Sequence, residues 1–473
     1  MLIALLMLFP LLAGALLLAL KSKTANVVVI YAYAALHLAV TMVLCARPAG
    51  LAPFFRVDDL NIVFLLILSV LYGGVSLYHG DFLRHSGLSR RWHTWYAICL
   101  LLFGFSMTGV ILSTHLGLLW VFVEATTLAS APFIYYEGNK AALEATWKYV
   151  FICSVGIALA FVGIILLSMS AGEHASLFFD DLGAHAGLLS PFWLKLAFPF
   201  ILVGFGTKMG LAPVHAWLPD AHAESPAPIS AMLSGTLLNT ALLGILRVYR
   251  IMDQAGQAAP ARTLLLVMGF LSLFVCAVFV LRSRNYKRML AYSSIEHMGL
   301  VAIGIGLGGA GVFAAMLHLV AHSLGKAACF LTAGNILGLF GTREIRGVRG
   351  LPRVDPLTGW LWVFSFLAVA AFPPFPTFLS EYLLAGTILA SGRIWLLGLF
   401  LLLLTVILAG MSHSILRMVS GVPDPAVRPQ KIPVFNYIPQ LLFLAALVIL
   451  GLAMPDPVLR LLERAAASLG GGR

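Results

Sequence analysis

The chain has 473 residues, of which 61% are hydrophobic and only 10% charged, less than half the roughly 25% charge of an ordinary soluble protein. With a mean hydropathy of +0.98 it cannot clothe a water-soluble fold of this length, which excludes a set of soluble domains and points to a polytopic integral membrane protein. The net charge of +11 does not call for nucleic acid, because basic residues gather in the cytoplasmic loops of membrane proteins; the expected surroundings are the lipid bilayer.

A helix crossing ~30 Å of hydrocarbon needs about 20 apolar residues. On that scale fourteen spans are predicted, near residues 2–20, 25–45, 59–79, 95–113, 116–136, 147–170, 192–216, 226–250, 262–282, 287–306, 309–340, 357–391, 394–418 and 433–453. The first follows no basic leader and shows no clear cleavage site, so it reads as a retained span. Lys and Arg divide about two to one in favour of the loops facing inward if both termini lie outside, with clusters at Arg282–Arg288 and Arg343–Arg353. That bias sets the expected orientation in a bacterial or archaeal cytoplasmic membrane. The five cysteines are scattered through apolar stretches with no CxxC or Cys/His spacing, and read as small buried hydrophobes.

Two predicted spans are interrupted. The seventh carries Pro213 and Pro219 in GLAPVHAWLPDAHAESPAP, and the twelfth carries Pro373, Pro374 and Pro376 in AAFPPFPTFLSE. Proline removes a backbone donor and breaks the helix, and freed backbone is tolerated at membrane depth only inside protein or beside a wet cavity. The breaks lie five spans apart, which suggests two five-helix units in inverted orientation, an arrangement that points to a transport site. The simpler alternative is a pair of kinks in packed helices. The expected layout is an N-terminal three-helix segment (1–94), a first repeat (95–250), a second repeat (251–420) and a C-terminal helix with its tail (421–473).

An ionisable group at a helix centre costs about 2.5–3.5 kcal/mol on insertion scales, so its presence there asks for a reason. Glu124 is mid-span in HLGLLWVFVEATTLASAPF, and Lys208 lies five residues before the first proline break. His318, His322 and Lys326 repeat at i, i+4 and i+8 and line one helical face. Glu381 follows the second break. A buried Lys is pushed towards neutrality and a buried Glu towards protonation, and bringing the two together reverses both, so such pairs can exchange protons as their separation changes. The same residues are also open to blander readings: a static Glu124–Lys208 pair fixing register, and interhelical hydrogen bonds for His318 and His322. His215, Asp220, His222 and Glu224 surround the first break, either as a route for proton uptake or as caps of broken helix ends. Glu296, near the inner end of its span, is placed to relay protons or to meet Arg288 or Lys287.

No Walker motif, HExxH or nucleophile–base arrangement occurs. Gly304, Gly306 and Gly309 match a dinucleotide fingerprint in form only, since they follow a membrane helix and no strand. No catalytic residue, metal ligand or cofactor is expected in this chain.

The runs GTKMGLAPVHAWLPDAHAESPAPISA, RNYKRMLAYSSIEHMG, HLVAHSLGKAACFLTAG and FPPFPTFLSE resemble the antiporter-like membrane subunits of the complex I, Mrp antiporter and membrane-bound hydrogenase superfamily, strongly over residues 95–390. The stretch EATTLASAPFIYYEGNKAALEATWKYVFICSVGIALA is most similar to the F subunit of hydrogenase-4-type complexes, then to the M subunit of complex I. The resemblance implies a relay from Glu124 through Lys208, His318, His322 and Lys326 to Glu381. It also implies partner subunits, membrane-embedded and peripheral, that carry iron–sulfur and nickel–iron centres. Two departures stand out. The eighth span offers Ser234, Thr236 and Asn239 where relatives often place a histidine or lysine, so the relay there needs water held by these three. The chain also stops about twenty residues after its last predicted span, which favours the M or F type over the L subunit of complex I with its lateral helix. Three readings follow: a proton-translocating subunit of a redox complex, a gradient-driven Na⁺ or K⁺/H⁺ exchanger subunit of Mrp type, or a non-conducting scaffold.

Overall fold

The computed structural model describes residues 1–20, 22–51, 53–85, 87, 89–172, 176–424 and 431–471. Among these, thirteen helices are long and apolar enough to cross a membrane. In the first half these are α1 (Leu2–Leu20), α2 (Lys23–Ala46), α3 (Asn61–His85), α4 (Arg90–Leu112), α5 (Leu116–Ile134), α6 (Lys140–Ala171) and α8 (Pro191–Met209). The short α7 (Phe179–Ala184) precedes α8, and α9 (Leu218–Glu224) follows it. Next, α10 (Ala227–Met232) runs through a π-helical turn at Leu233–Leu237 into α11 (Leu238–Gln254) as one span. The second half holds α12 (Ala258–Val280), α13 (Tyr286–Leu307), α14 (Ala310–Phe340), the one-turn α15 (Leu351–Val354), α16 (Pro356–Val369), α17 (Pro376–Ala390), α18 (Ile394–Val419), α19 (Ile438–Leu452) and α20 (Asp456–Ala467).

The fourteen predicted spans are accounted for by the thirteen long helices plus the pair α16 and α17, into which the predicted twelfth span divides. The predicted seventh span likewise stops at Met209, not at residue 216, because the chain leaves the helix four residues before Pro213. The predicted sixth span starts seven residues late. Its first turns are polar, but the Asn139 side chain accepts from Ala142 N at 2.8 Å and starts the helix early. Two features were not expected as elements. A two-stranded ribbon, β1 (Gly50–Leu51) and β2 (Phe55–Arg56), lies between α2 and α3. The tail forms α20, too short to span, which buries Leu461, Leu462, Ala465 and Ala466.

Burial separates the helices. The apolar window of the α10–α11 span is 100% buried and that of α14 is 94%, whereas α18 is 33% and α6 39%. The first two therefore form the centre and the others face outward, as a bilayer permits, since lipid tails are as apolar as leucine. Small residues set close approaches. A Cβ on Gly204 of α8 would collide with the backbone of Ala160 on α6, and one on Gly269 of α12 would sit 2.8 Å from the Gly299 carbonyl of α13.

At both breaks nearby side chains satisfy some of the freed backbone groups. After α8, Gly210 adopts the left-handed region (φ 80°) and Leu211 N reaches back to Gly206 O at 2.9 Å, a helix end that suits glycine. Trp217 Nε1 donates to Thr207 O at 2.7 Å, and Ala212 N donates to Ser272 Oγ of α12 at 2.9 Å. At the second break Thr377 Oγ1 donates to Ala368 O at 2.6 Å.

Ion pairs strap the ribbon to the face of the first half: Arg247 to Asp58 at 2.5 Å, and Arg56 to Asp180 at 2.6 Å. The Arg56 hydrogen bond holds the Asp180 carboxyl below the usual carboxylate range. A carboxylate lowered on folding stabilises the fold above its unfolded pKa, and that contribution is lost as the pH falls through the lowered value. The pair is exposed, so the effect is small. Asp180→Asn is expected to leave the melting temperature near neutral pH almost unchanged and to shallow its fall in acid. Gly204→Leu, which forces α6 and α8 apart, is expected to cost about 1–3 kcal/mol, seen as a lower melting temperature of the purified protein.

Candidate functional site

The residues singled out in the sequence fall into two clusters, one in each half; a separate buried network, His37 with Ser69 and Thr108, ties α2 to α3 and α4. In the first, Lys208 occupies the last turn of α8 and is fully buried. That end of a helix carries the partial negative charge of the helix dipole and favours a cation. Its Nζ donates to Tyr149 OH of α6 at 2.9 Å and to Thr126 Oγ1 of α5 at 3.3 Å. Tyr149 OH in turn lies 2.6 Å from Ser130 Oγ, and the Tyr149 ring packs against Trp217 at 4.9 Å. Glu124, on α5, accepts from Ser154 Oγ at 2.7 Å and from Thr127 Oγ1 at 3.2 Å. Among the described residues Glu124 and Lys208 form no direct ion pair; each meets one hydroxyl of α5, Thr127 or Thr126, and one of α6, Ser154 or Tyr149. The geometry therefore differs from a locked salt bridge, and a change in spacing between α5 and α8 alters the field each feels.

The second cluster is built on α14. His318, His322 and Lys326 share one face of that helix, as their spacing predicts, but they do not contact one another in series. His297 of α13 is inserted between them. Its Nδ1 is 2.8 Å from His318 Nε2, and its ring centroid is 4.8 Å from that of His322. His318 Nδ1 meets Ser380 Oγ of α17 at 2.8 Å, one residue before Glu381. Lys326 Nζ donates to Leu290 O of α13 at 2.9 Å. In SSIEHMGL the glutamate, Glu296, stands out by its charge, and His297 beside it does not. A histidine adjacent to a buried glutamate was the available signal.

The eighth span joins the second cluster. Ser234 Oγ is 2.8 Å from Ser294 Oγ of α13, and Asn239 Nδ2 donates to Ser323 Oγ of α14 at 2.8 Å. His322 Nε2 approaches Ser234 O at 3.3 Å, inside the π-helical turn, a distortion that often marks functional sites. Thr236 turns the other way, bonding Met107 Sδ of α4 at 3.3 Å and Met232 O. Among the described residues no hydrogen bond joins the Lys208 cluster to the His322 cluster. Among the buried polar atoms without a protein partner are Asn239 Oδ1, His322 Nδ1, His297 Nε2 and Ser293 Oγ of the α11, α13 and α14 residues, and both ring nitrogens of His222. Buried polar atoms of this kind bond to internal water.

The residues around the first break divide. His222 is fully buried and stacked on Phe330 at 4.7 Å, and His215 Nδ1 is buried without a partner. Asp220 and Glu224 are instead held by cations. Asp220 pairs with Lys148 of α6 at 3.0 Å and with Arg288 of α13, and Glu224 pairs with Arg343 at 3.1 Å, which also binds Glu137. Arg288 is thus engaged by Asp220, and Lys287 Nζ donates to Ser225 O. Glu296 is paired with neither; it lies beside Cys276 Sγ, 3.9 Å away.

The family defined as NADH:quinone oxidoreductase/Mrp antiporter, TM, matches residues 113–407, a stretch that contains every residue of both clusters. The chain belongs to this family. It is 38% identical over 401 residues to the hydrogenase-4 component F homolog of Methylacidiphilum infernorum, covering 81% of this chain and 83% of that protein. Its fold matches a chain of respiratory complex I from Thermus thermophilus with a TM-score of 0.82 at 25% identity, over 98% of this chain and 100% of that one. It matches a chain of the Mrp complex from Dietzia sp. DQ12-45-1b with a TM-score of 0.88 at 20% identity, over 99% and 97%. The protein is therefore an antiporter-like, multi-pass membrane subunit of this superfamily.

In this chain Tyr149 supplies the shorter of the two hydroxyl contacts to Lys208. Tyr149→Phe removes the oxygen that Lys208 binds, and a hydrogen bond to a charged group contributes about 1.5–3 kcal/mol. A lowered melting temperature is expected, together with slower proton transport by the reconstituted complex. Retention of both would show that Thr126 alone holds the lysine.

Proposed function

We propose that this chain is a proton-translocating subunit of a membrane-bound redox complex of hydrogenase-4 or NADH:quinone oxidoreductase type. The observation that carries the reading is the pair of buried clusters: a lysine and a glutamate held by hydroxyls of α5 and α6, and a His–His–His–Lys group joined to the eighth span and carrying unpartnered polar atoms. Electron transfer in partner subunits shifts the balance at Glu124 and Lys208. The Lys208 ammonium releases a proton, which water held near Ser234 and Asn239 carries to the His322, His297 and His318 group, and which passes by Lys326 towards Glu381. His215 and His222 line the uptake side. Asp220 and Glu224, neutralised by their arginines and lysine, brace the first break to α6, α13 and the segment after α14. The redox centres, iron–sulfur and nickel–iron, belong to the partner subunits, and this chain supplies only the proton path. We read residues 95–250 and 251–420 as two inverted units, each with one broken span, flanked by the segments 1–94 and 421–473. An even number of crossings puts both termini on one side, which the loop charges place outside a cytoplasmic membrane.

The test uses the native complex in sealed vesicles. Lys208→Ala and Glu124→Gln are each expected to reduce donor-driven proton pumping about 10²-fold or more while electron transfer in the partner subunits can still be measured. Unchanged pumping in both variants would overturn the reading and favour a non-conducting scaffold. Na⁺- or K⁺-driven proton exchange with no electron donor, in a purified complex lacking redox subunits, would overturn it in favour of a gradient-driven exchanger.

A further inference from the structure

Glu296 and His297 are neighbours on α13, and successive helical residues point about 100° apart. His297 turns to the histidines of α14. Glu296 turns instead to a cavity of about 320 Å³ between α13, α17 and α18, and Glu381 lines the same cavity. The remaining wall is mostly apolar, with Phe378, Phe400 and Met411, and its hydroxyl-bearing residues are Thr405 and Tyr382. Glu296 is 6% exposed. Among the described residues no Lys or Arg lies within ion-pair distance of it, and its polar neighbours there are the Cys276 thiol and the Ser293 hydroxyl. A buried carboxylate without a direct ion pair is costly, so Glu296 is not the fixed half of a salt bridge.

Two further observations fix its place along the path. Lys326 donates to the carbonyl of Leu290, on the same helix as Glu296, and the Lys326 ammonium lies within electrostatic range of the Glu296 carboxylate. At the cavity's edge stand Val369 and Ala370, where α16 ends. Their helical donors four residues on would be Pro373 and Pro374, which have no N–H. The second proline break thus leaves backbone carbonyls without helical partners beside two carboxyl groups, and a water takes about 30 Å³, so the cavity has room for several.

We infer that Glu296 is itself a proton carrier, standing between Lys326 and Glu381. The inference rests on the relay proposed above and adds a station to it. The Lys326 ammonium gives its proton to the Glu296 carboxylate, leaving a neutral amine and a carboxylic acid. The acid passes the proton through water in the cavity to the Glu381 carboxylate, and the amine is recharged from the histidine group. Because two ionised carboxylates facing one apolar cavity repel, Glu381 gives up its proton on the exit side only as the next one reaches Glu296, and it is then the carboxylate that accepts.

The experiment compares Glu296→Gln, Glu296→Asp and Glu381→Gln in the native complex, by pumping in sealed vesicles and by infrared difference spectroscopy of the protonated carboxyl stretch. Glu296→Gln is expected to lower pumping roughly tenfold or more and to remove one carboxyl band, with Glu296→Asp restoring part of the pumping and shifting the band. Native pumping by Glu296→Gln alongside impaired Glu381→Gln would overturn the inference and leave the relay standing. Native pumping by both would overturn the relay as well. If Glu296→Gln fails to assemble, Glu296→Asp decides: a shifted band supports the carrier, and an unmoved one rejects it.

Discussion

The hydrocarbon interior of a membrane cannot solvate a charge or an unpaired backbone group, and the architecture of this protein answers that constraint. The two most enclosed spans, α10–α11 and α14, carry the Ser234–Asn239 and His318–Lys326 groups. Helices with apolar surfaces, such as α1, α6 and α18, surround them. Where α8 stops, its carbonyls are met by the Trp217 indole and by Gly210 and Leu211 amides, and the Ala212 amide by Ser272. The broken helix thus delivers Lys208 at its negative end with part of its freed backbone satisfied.

The same constraint shapes the relation between the clusters. Direct ion pairs are found at the edges of the spans, as at Asp220 with Lys148 and Arg288 or Asp58 with Arg247. In the interior, Lys208 and Lys326 are held by hydroxyls and a carbonyl. A lysine bound by neutral oxygens can lose its proton without leaving an opposite charge uncompensated, whereas breaking a buried ion pair strands one partner. Edge pairs thus hold helices together, and among the described residues the interior lysines are held without a direct ion pair.

Much of this was legible along the chain. Apolar runs located the fourteen spans, because the thickness of the bilayer sets their length. Prolines located both breaks, because a missing N–H is visible in one residue. The costly residues Glu124, Lys208, His318, His322, Lys326 and Glu381 stood out against an apolar background. What stayed hidden depended on partners distant in sequence. Tyr149 is an ordinary aromatic of a membrane helix until Lys208, 59 residues on, is found at its hydroxyl. His297 gains its position only from α14, and Thr236, grouped with Ser234 by proximity, faces α4 instead.

By itself the sequence determined that this chain crosses a membrane many times, where two crossings break, and which residues are too expensive to be incidental. Transfer energies and the loss of a backbone donor act locally, so they can be read one residue or one turn at a time. Only the tertiary structure decided which of those residues meet. It set Glu124 and Lys208 on hydroxyls of α5 and α6 in place of a salt bridge, interposed His297 between His318 and His322, and turned Glu296 to the cavity of Glu381. Those outcomes depend on how helices rotate and cross against one another, and a helix's rotation is fixed by its neighbours rather than by its own composition.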